Sequence, residues 1–195
     1  MQNRILPLAI IVLLVGADPL IAAINVNLKL DKFTPHIGDS LKQKYKGAHI
    51  FLADFTNNAE NTGLWNYYSK NPAISYKTSH NLNSFLWYCF EKALTEMGMF
   101  FYKEAPSVPG IATLELEFSS WTHEGFTGRI TLYKSGVIKY QKIRQLKFQP
   151  AESLDPTHLE TRAYDCVNTI IASILEDKEF QASFFERQSG RNARE

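Results

Sequence analysis

The strongest constraint on this chain is a strict alternation running over residues 111–148. Ala112, Leu114, Leu116 and Phe118 are apolar, with Thr113, Glu115 and Glu117 between them. The same register continues through Phe126, Gly128, Ile130 and Leu132, against Thr127, Arg129 and Thr131. It resumes at Ile138, Tyr140, Leu146 and Phe148. A two-residue period belongs to a strand with one buried and one wet face. Residues 122–125 and 134–136 each end on a glycine able to take positive φ, so the stretch reads as three antiparallel strands. A turn near His123 sets Glu117 opposite Arg129 and Leu116 opposite Ile130. A turn near Ser135 sets Ile130 opposite Tyr140 and Arg129 opposite Gln141, so that like meets like across both hairpins. Lys142 falls on the apolar register opposite Gly128. Either a bulge resets the phase there or the Lys142 stem is buried at a sheet end.

The remaining segments must cover that sheet. Residues 24–31 alternate Ile24, Val26, Leu28 and Leu30 with polar neighbours, as an amphipathic edge strand does. Residues 33–47, with Pro35, Gly38 and Gly47, read as a linker. The apolar run at 49–55 fits a central strand. Residues 56–79 have no clear period beyond a short strand at 73–78. Leu82, Phe85, Leu86, Cys89, Phe90, Ala93, Leu94 and Met97 form the stripe of a helix over 79–98, with Ser79 as its cap and Gly98 as its stop. A brief strand follows at 99–104. Asp155-Pro156 opens a second long helix with a capping carboxylate and a first-turn proline. Its buried stripe is Leu159, Ala163, Cys166, Val167, Ile170, Ile171 and Ile174. Phe180, Phe184 and Phe185 turn the chain back onto the core. The expected fold is therefore α+β, a two-layer sandwich. An antiparallel sheet carries two main helices on one face, in the order β-α-β-β-β-β-α.

The first residues have the build of an export signal: a short basic start, the apolar run 5–15, Asp18-Pro19, then Ala22 and Ala23. The apolar run is shorter than the ~20 residues that a membrane-spanning helix needs. The expected division is a signal peptide at 1–23, one α+β domain at 24–186 and a polar, disordered tail at 187–195. Cleavage would leave a periplasmic chain with peripheral or no membrane contact. Net charge is +1, so bulk electrostatics favours neither nucleic acid nor an anionic membrane. Cys89 and Cys166 lie on the apolar stripes of the two helices. Export allows them a disulfide, and the alternative is two buried thiols acting as small hydrophobes. A Cα separation within about 7 Å would decide between them.

Chemistry is sparse. His36, His49, His80, His123 and His158 lack metal-ligand spacing, and no nucleophile elbow or phosphate loop is present. No catalytic residue, metal ligand or cofactor is expected. Lys134, Lys139, Lys142, Arg144 and Lys147 make the third strand basic, which reads as protection of an exposed edge and not as a nucleic-acid platform. The partner- or ligand-binding candidates are Trp65, Tyr67 and Tyr68, aromatics in a long loop. The same rings could equally tuck beneath the loop and close the core.

Five segments carry a family resemblance: Asn25-Val26-Asn27-Leu28, Ile50-Phe51-Leu52-Ala53-Asp54, the helix 82–94 ending in Glu96-Met97-Gly98, Leu114-Glu115-Leu116, and the last helix running into Leu175-Glu176-Asp177-Lys178-Glu179-Phe180. In these the chain resembles the YajG-like lipoproteins and, more loosely, the auxiliary lipoproteins of ABC-type envelope transport systems. The resemblance spans roughly residues 24–185. It implies a bacterial envelope protein with no catalytic residues to carry over. The lipid-attachment cysteine of such lipoproteins is missing. The expected function is a non-enzymatic periplasmic binding or accessory protein, with an envelope protein or an apolar ligand as partner. An alternative is a carrier of a lipid-like ligand for an ABC-type system. A small periplasmic enzyme is a third reading, for which no converging titratable groups are visible.

Overall fold

The computed structural model describes residues 23–69, 74–106 and 110–186. The expected leader, apart from Ala23, and the expected tail at 187–195 lie outside them. In chain order the elements are β1 (Ile24–Leu28), α1 (Asp39–Tyr45), β2 (His49–Leu52), β3 (Thr56–Asn57), β4 (Asn66–Tyr68), β5 (Ile74–Thr78), α2 (Leu82–Glu96), β6 (Phe100–Tyr102), β7 (Ala112–Thr122), β8 (Gly125–Lys134), β9 (Val137–Lys147), α3 (Pro156–Leu175) and α4 (Lys178–Phe185). A single 3-10 turn, Leu30–Lys32, follows β1. The fold is α+β.

The larger sheet runs β6-β2-β7-β8-β9, with β3 also paired to β7. The β7-β8-β9 meander is antiparallel, as its alternation predicts, with Leu116 facing Ile130 and Glu117 facing Arg129. Its even residues are buried, Leu114, Leu116, Phe118, Ile130 and Leu132 almost wholly. The sheet is mixed, however, because β2 lies parallel to both β6 and β7. That central position explains why Ile50 and Leu52 are sealed from water.

Two bulges were not visible in the alternation. One, between Phe118 and Ser120, moves Trp121 onto the buried face opposite Phe126. The other corrects the expected second hairpin. Ile130 faces Lys142 and Arg129 faces Ile143, while Tyr140 faces Leu132. The turn uses two residues, Ser135 and Gly136, both at positive φ. That accounts for one step of the two-residue shift. The irregularity after Leu132 supplies the other. It also turns Val137 and Ile138 outward, so the expectation of a buried Ile138 fails. Lys142 keeps to the helix side and ends between Asp177 and Glu179, at 3.1 and 3.0 Å.

The residues expected as a linker are folded structure. Phe33, Leu41 and Tyr45 are buried, and α1 is fastened by the Tyr45 hydroxyl donating to the Leu175 carbonyl at 3.0 Å. The cap of α2 is Asn81 and not Ser79: the Asn81 side chain accepts from the Ser84 amide at 3.0 Å. Gly98, at φ 71°, follows the C-terminus of α2, as expected. Asp155 caps α3 by accepting from the amides of Thr157 and His158.

A second, three-stranded sheet has the order β1-β5-β4, with β1 as an edge strand parallel to β5. It joins the main core through a column of rings. Tyr67 stacks on Tyr76 at 4.7 Å and on Trp121 at 4.9 Å. Lys134, expected on a basic outer strand, is instead buried. Its ammonium donates to the Phe184 and Glu186 carbonyls at 2.6 and 2.8 Å, closing the end of α4. Burial holds its pKa below the usual lysine range.

Candidate binding site

The site is assembled where the 53–65 loop meets the start of α2. Local hydrogen bonds hold this loop. The Asn57 side chain accepts from the Ala59 amide and the Thr62 hydroxyl, at 3.0 and 3.1 Å. The Leu82 amide donates to the Leu64 carbonyl at 2.8 Å, and the Thr78 amide to the Trp65 carbonyl at 2.9 Å. The Asn83 amide nitrogen donates to the Phe55 carbonyl at 2.9 Å. An asparagine-rich segment without periodicity thus becomes a fixed wall, because its side chains replace the ladder that the backbone lacks.

Two recesses share this wall, with Phe55 and Asn83 common to both. One, of about 250 Å³, is lined by Asp54, Ser84, Trp87, Tyr88 and Lys103. The other, of about 500 Å³, lies toward Asn57, Thr62, Leu64 and Asn81. Together they make a groove edged by the exposed Leu64, at 59%, with Trp65, the next residue in the chain, also exposed at 44%. Lys103 is steadied at one end by Glu91, 3.0 Å away, and by the Trp87 ring, 5.8 Å from its ammonium. Tyr88 is wedged between His80 and Trp87, at 5.1 and 5.2 Å. The indole nitrogen of Trp87 is buried and, like that of Trp121 in the core, has no hydrogen-bond partner among the described residues.

The aromatic candidates read from the sequence separate here. Trp65 is exposed beside the groove residue Leu64 in the chain, and Tyr68 is exposed on β4. Tyr67 is 1% exposed and sits in the ring column, so it is a core residue and not a contact residue. Strand alternation through Tyr67 and Tyr68 forces that division. Trp87 and Tyr88 were missed because both fall off the apolar stripe of α2; in the structure Trp87 is half-buried and packs against the edge of the core.

Cys89 and Cys166 are both free and buried, so the disulfide alternative gives way to two thiols. Burial raises both, the Cys166 thiol to about 11. The histidines are dispersed. His49 contacts the Tyr102 hydroxyl at 2.9 Å, and His36 approaches Asp165 at 3.7 Å. Glu117 and Arg129 form an ion pair at 3.3 Å on the wet sheet face. Among the described residues no group of three His, Cys, Asp or Glu could hold a metal ion. Among them, too, no helix is long and apolar enough to cross a membrane.

A third cavity, of about 460 Å³, lies between the β7 start and the α4 end. Ala48, Ile111, Ala112, Phe184 and Phe185 give it apolar walls, with Lys134 at its base.

The overall architecture has a solved counterpart, the crystal structure of protein XCC0632 from Xanthomonas campestris, of family DUF330. The chain is similar in fold to a DUF330 protein. The TM-score is 0.55 at 9% identity, over 78% of this chain and 93% of that one. No family model matches the sequence, and no curated protein matches it either.

Proposed function

We propose that this chain is a non-enzymatic binding protein of the bacterial cell envelope, acting from the periplasm through the groove beside α2. The observation that carries this reading is the groove wall, which combines the exposed Leu64 with Asp54, Ser84, Lys103 and the aromatic side chains of Trp87 and Tyr88. Such a mixture of polar groups and aromatic surface in one concavity is what a recognition site presents. The fold shared with a DUF330 protein supports an accessory role, and the apolar leader with small residues before Ile24 supports export.

The test places a photo-crosslinkable residue at Trp65 or, as a control, at Ile143, which is exposed on the opposite side of the sheet. In intact cells the Trp65 position is expected to give discrete envelope adducts and the Ile143 position none. Equal labelling from both would sink the reading. So would recovery of the chain in the cytosol with its leader uncut.

A second reading, carriage of an apolar ligand for an ABC-type envelope system, is favoured by the cavity walled by Phe184 and Phe185. Ile111→Glu would abolish retention of a fluorescent fatty acid if that cavity is the carrier site.

A further inference from the structure

One row of register partners crosses the end of the larger sheet: Phe101 of β6, Ile50 of β2, Ala112 of β7, Lys134 of β8 and Val137 of β9. Three helices finish beside it. The Gly47 amide, after α1, donates to the Gly98 carbonyl, after α2, at 2.8 Å, and Phe185 of α4 shares a cavity wall with Ala112 and Lys134. Exposed apolar side chains gather at this end. Phe100 and Val137, 59% and 58% exposed, sit at its two sides, with Ile138 and Phe185 also exposed. Four strand spacings, about 20 Å, separate the two sides. Lysines stand among them. The Lys44 ammonium lies 5.9 Å from the Phe185 ring, and Lys46 and Lys139 are exposed. The acids Glu96 and Glu186 are each held by a lysine, Lys42 at 2.7 Å and Lys139 at 3.1 Å. That leaves Lys44, which donates to the Gln181 amide oxygen, and Lys46 without a carboxylate partner among the described residues. Lys134 adds a buried positive charge at the same end. The overall charge of +1 thus hides a local cationic surplus. The described chain also finishes here, at Glu186, and the sequence continues with Arg187, Arg191 and Arg194 against Glu195.

We infer that this end of the sheet docks on an anionic lipid surface. Phe100, Val137, Ile138 and Phe185 enter the interfacial layer, and Lys44 and Lys46 meet the lipid phosphates. Exposed apolar side chains in one region mark a contact with a protein or with a membrane. Lysine decides between the two. It is depleted at protein interfaces, whereas a lysine close to an anionic bilayer gains from the surface potential. The spacing agrees. Protein hot spots gather at one packed centre, while these apolar side chains stand apart around a cavity, as separate wedges do. Shallow insertion of this kind needs no spanning helix. The inference goes beyond the groove beside α2 and needs no ligand in either place.

The test attaches an environment-sensitive NBD probe to the full-length chain through Val137→Cys or, as a control, through Ile143→Cys, further along β9. The native Cys89 and Cys166 are buried and stay unlabelled. Vesicles are made of phosphatidylcholine alone or mixed with phosphatidylglycerol. On the mixed vesicles the probe at position 137 is expected to shift to the blue and to lose most of its quenching by iodide, while the probe at 143 changes in neither respect. Lys44→Glu combined with Lys46→Glu, both at exposed positions, should abolish the shift with an unchanged melting temperature. Raised salt should do the same to the chain without those two changes. The apolar leader offers vesicles a second attachment, and the paired probes separate that case: a chain on the vesicle with position 137 still wet overturns the inference. So does a shift at both positions, an equal shift on phosphatidylcholine alone, a shift that survives both the lysine reversals and salt, or no binding at all. If vesicles leave position 137 wet and a photo-crosslinker there captures polypeptide in intact cells, this end is a protein interface and the lipid assignment falls. The Trp65 crosslinks report on the groove in every case, so the two readings fail separately.

Discussion

The ring of Tyr67 lies 4.7 Å from that of Tyr76 and within 4° of parallel. They are cross-strand partners within the small sheet, and the larger sheet meets them through Trp121 of β7, whose ring stacks 4.9 Å from that of Tyr67. Tyr67→Ala should therefore cost about 3–5 kcal/mol, as large-to-small changes of buried aromatics do. Trp65→Ala, only two residues away but at an exposed position, should stay within about 0.5 kcal/mol. Urea denaturation of the two variants checks this. Equal losses would mean that the exposed position and the column are one structure.

Asp177 binds three partners with one carboxylate. It accepts from the Phe180 amide at 2.9 Å, capping α4, and pairs with Lys142 at 3.1 Å and with Arg144. Its side chain is only 6% exposed. Asp177→Ala removes a cap and takes the carboxylate from the largely buried Arg144, while Lys142 keeps Glu179, for an expected loss of about 2–4 kcal/mol. Lys142→Met leaves the Arg144 pair standing and should cost less than about 1 kcal/mol. Denaturant midpoints would separate the two.

Alkaline titration should unfold the protein in a coupled step. Burial raises the phenols of Tyr45, Tyr67, Tyr76 and Tyr164 above their ordinary value. The folded state therefore holds these protons more tightly than the unfolded chain does. Their contribution is complete below the ordinary phenol pKa near 10 and is lost as pH rises beyond it. Tyrosinate absorbance from this group and the loss of far-ultraviolet circular dichroism are expected to rise together. Ionisation of all four in a fully folded protein would contradict the burial described.

The two thiols should be silent until the fold opens. Cys89 and Cys166 are buried, and both are held as thiols above the usual cysteine range. A maleimide reagent at neutral pH is expected to label neither at low urea and both through the unfolding transition. Intact mass should show no loss of hydrogen to a disulfide.

Much of the fold was written in periodicity. The meander, the stripes of α2 and α3 and the Asp155 cap all follow from spacing and capping chemistry, which act locally. The first β7-β8 register held because its turn lies where the glycine puts it. The second failed by two residues because turn length and bulge placement are settled by contacts that alternation does not record. α1 escaped notice since only Leu41 and Tyr45 of its seven residues face the core, too few to show a period. The small sheet escaped for a related reason: β1 and β5 are parallel partners separated by some of the least regular sequence in the chain. Of the groove, the loop was legible as an asparagine-rich stretch bearing Trp65. Its opposite wall was not, because Trp87 and Tyr88 acquire meaning only once α2 is docked beside Asp54 and Phe55.

The four residues of β2 depend on strands that come later. Ile50 pairs with Phe101 on one side and with Ala112 on the other. A nascent chain thus has no place to lodge Ile50 and Leu52 until Ala112 has been synthesised. Early residues must wait, greasy and unpaired, on later ones, so the domain cannot mature from its front end. Its assembly is gated by the back half, with the slow loop closure that distant parallel pairing imposes.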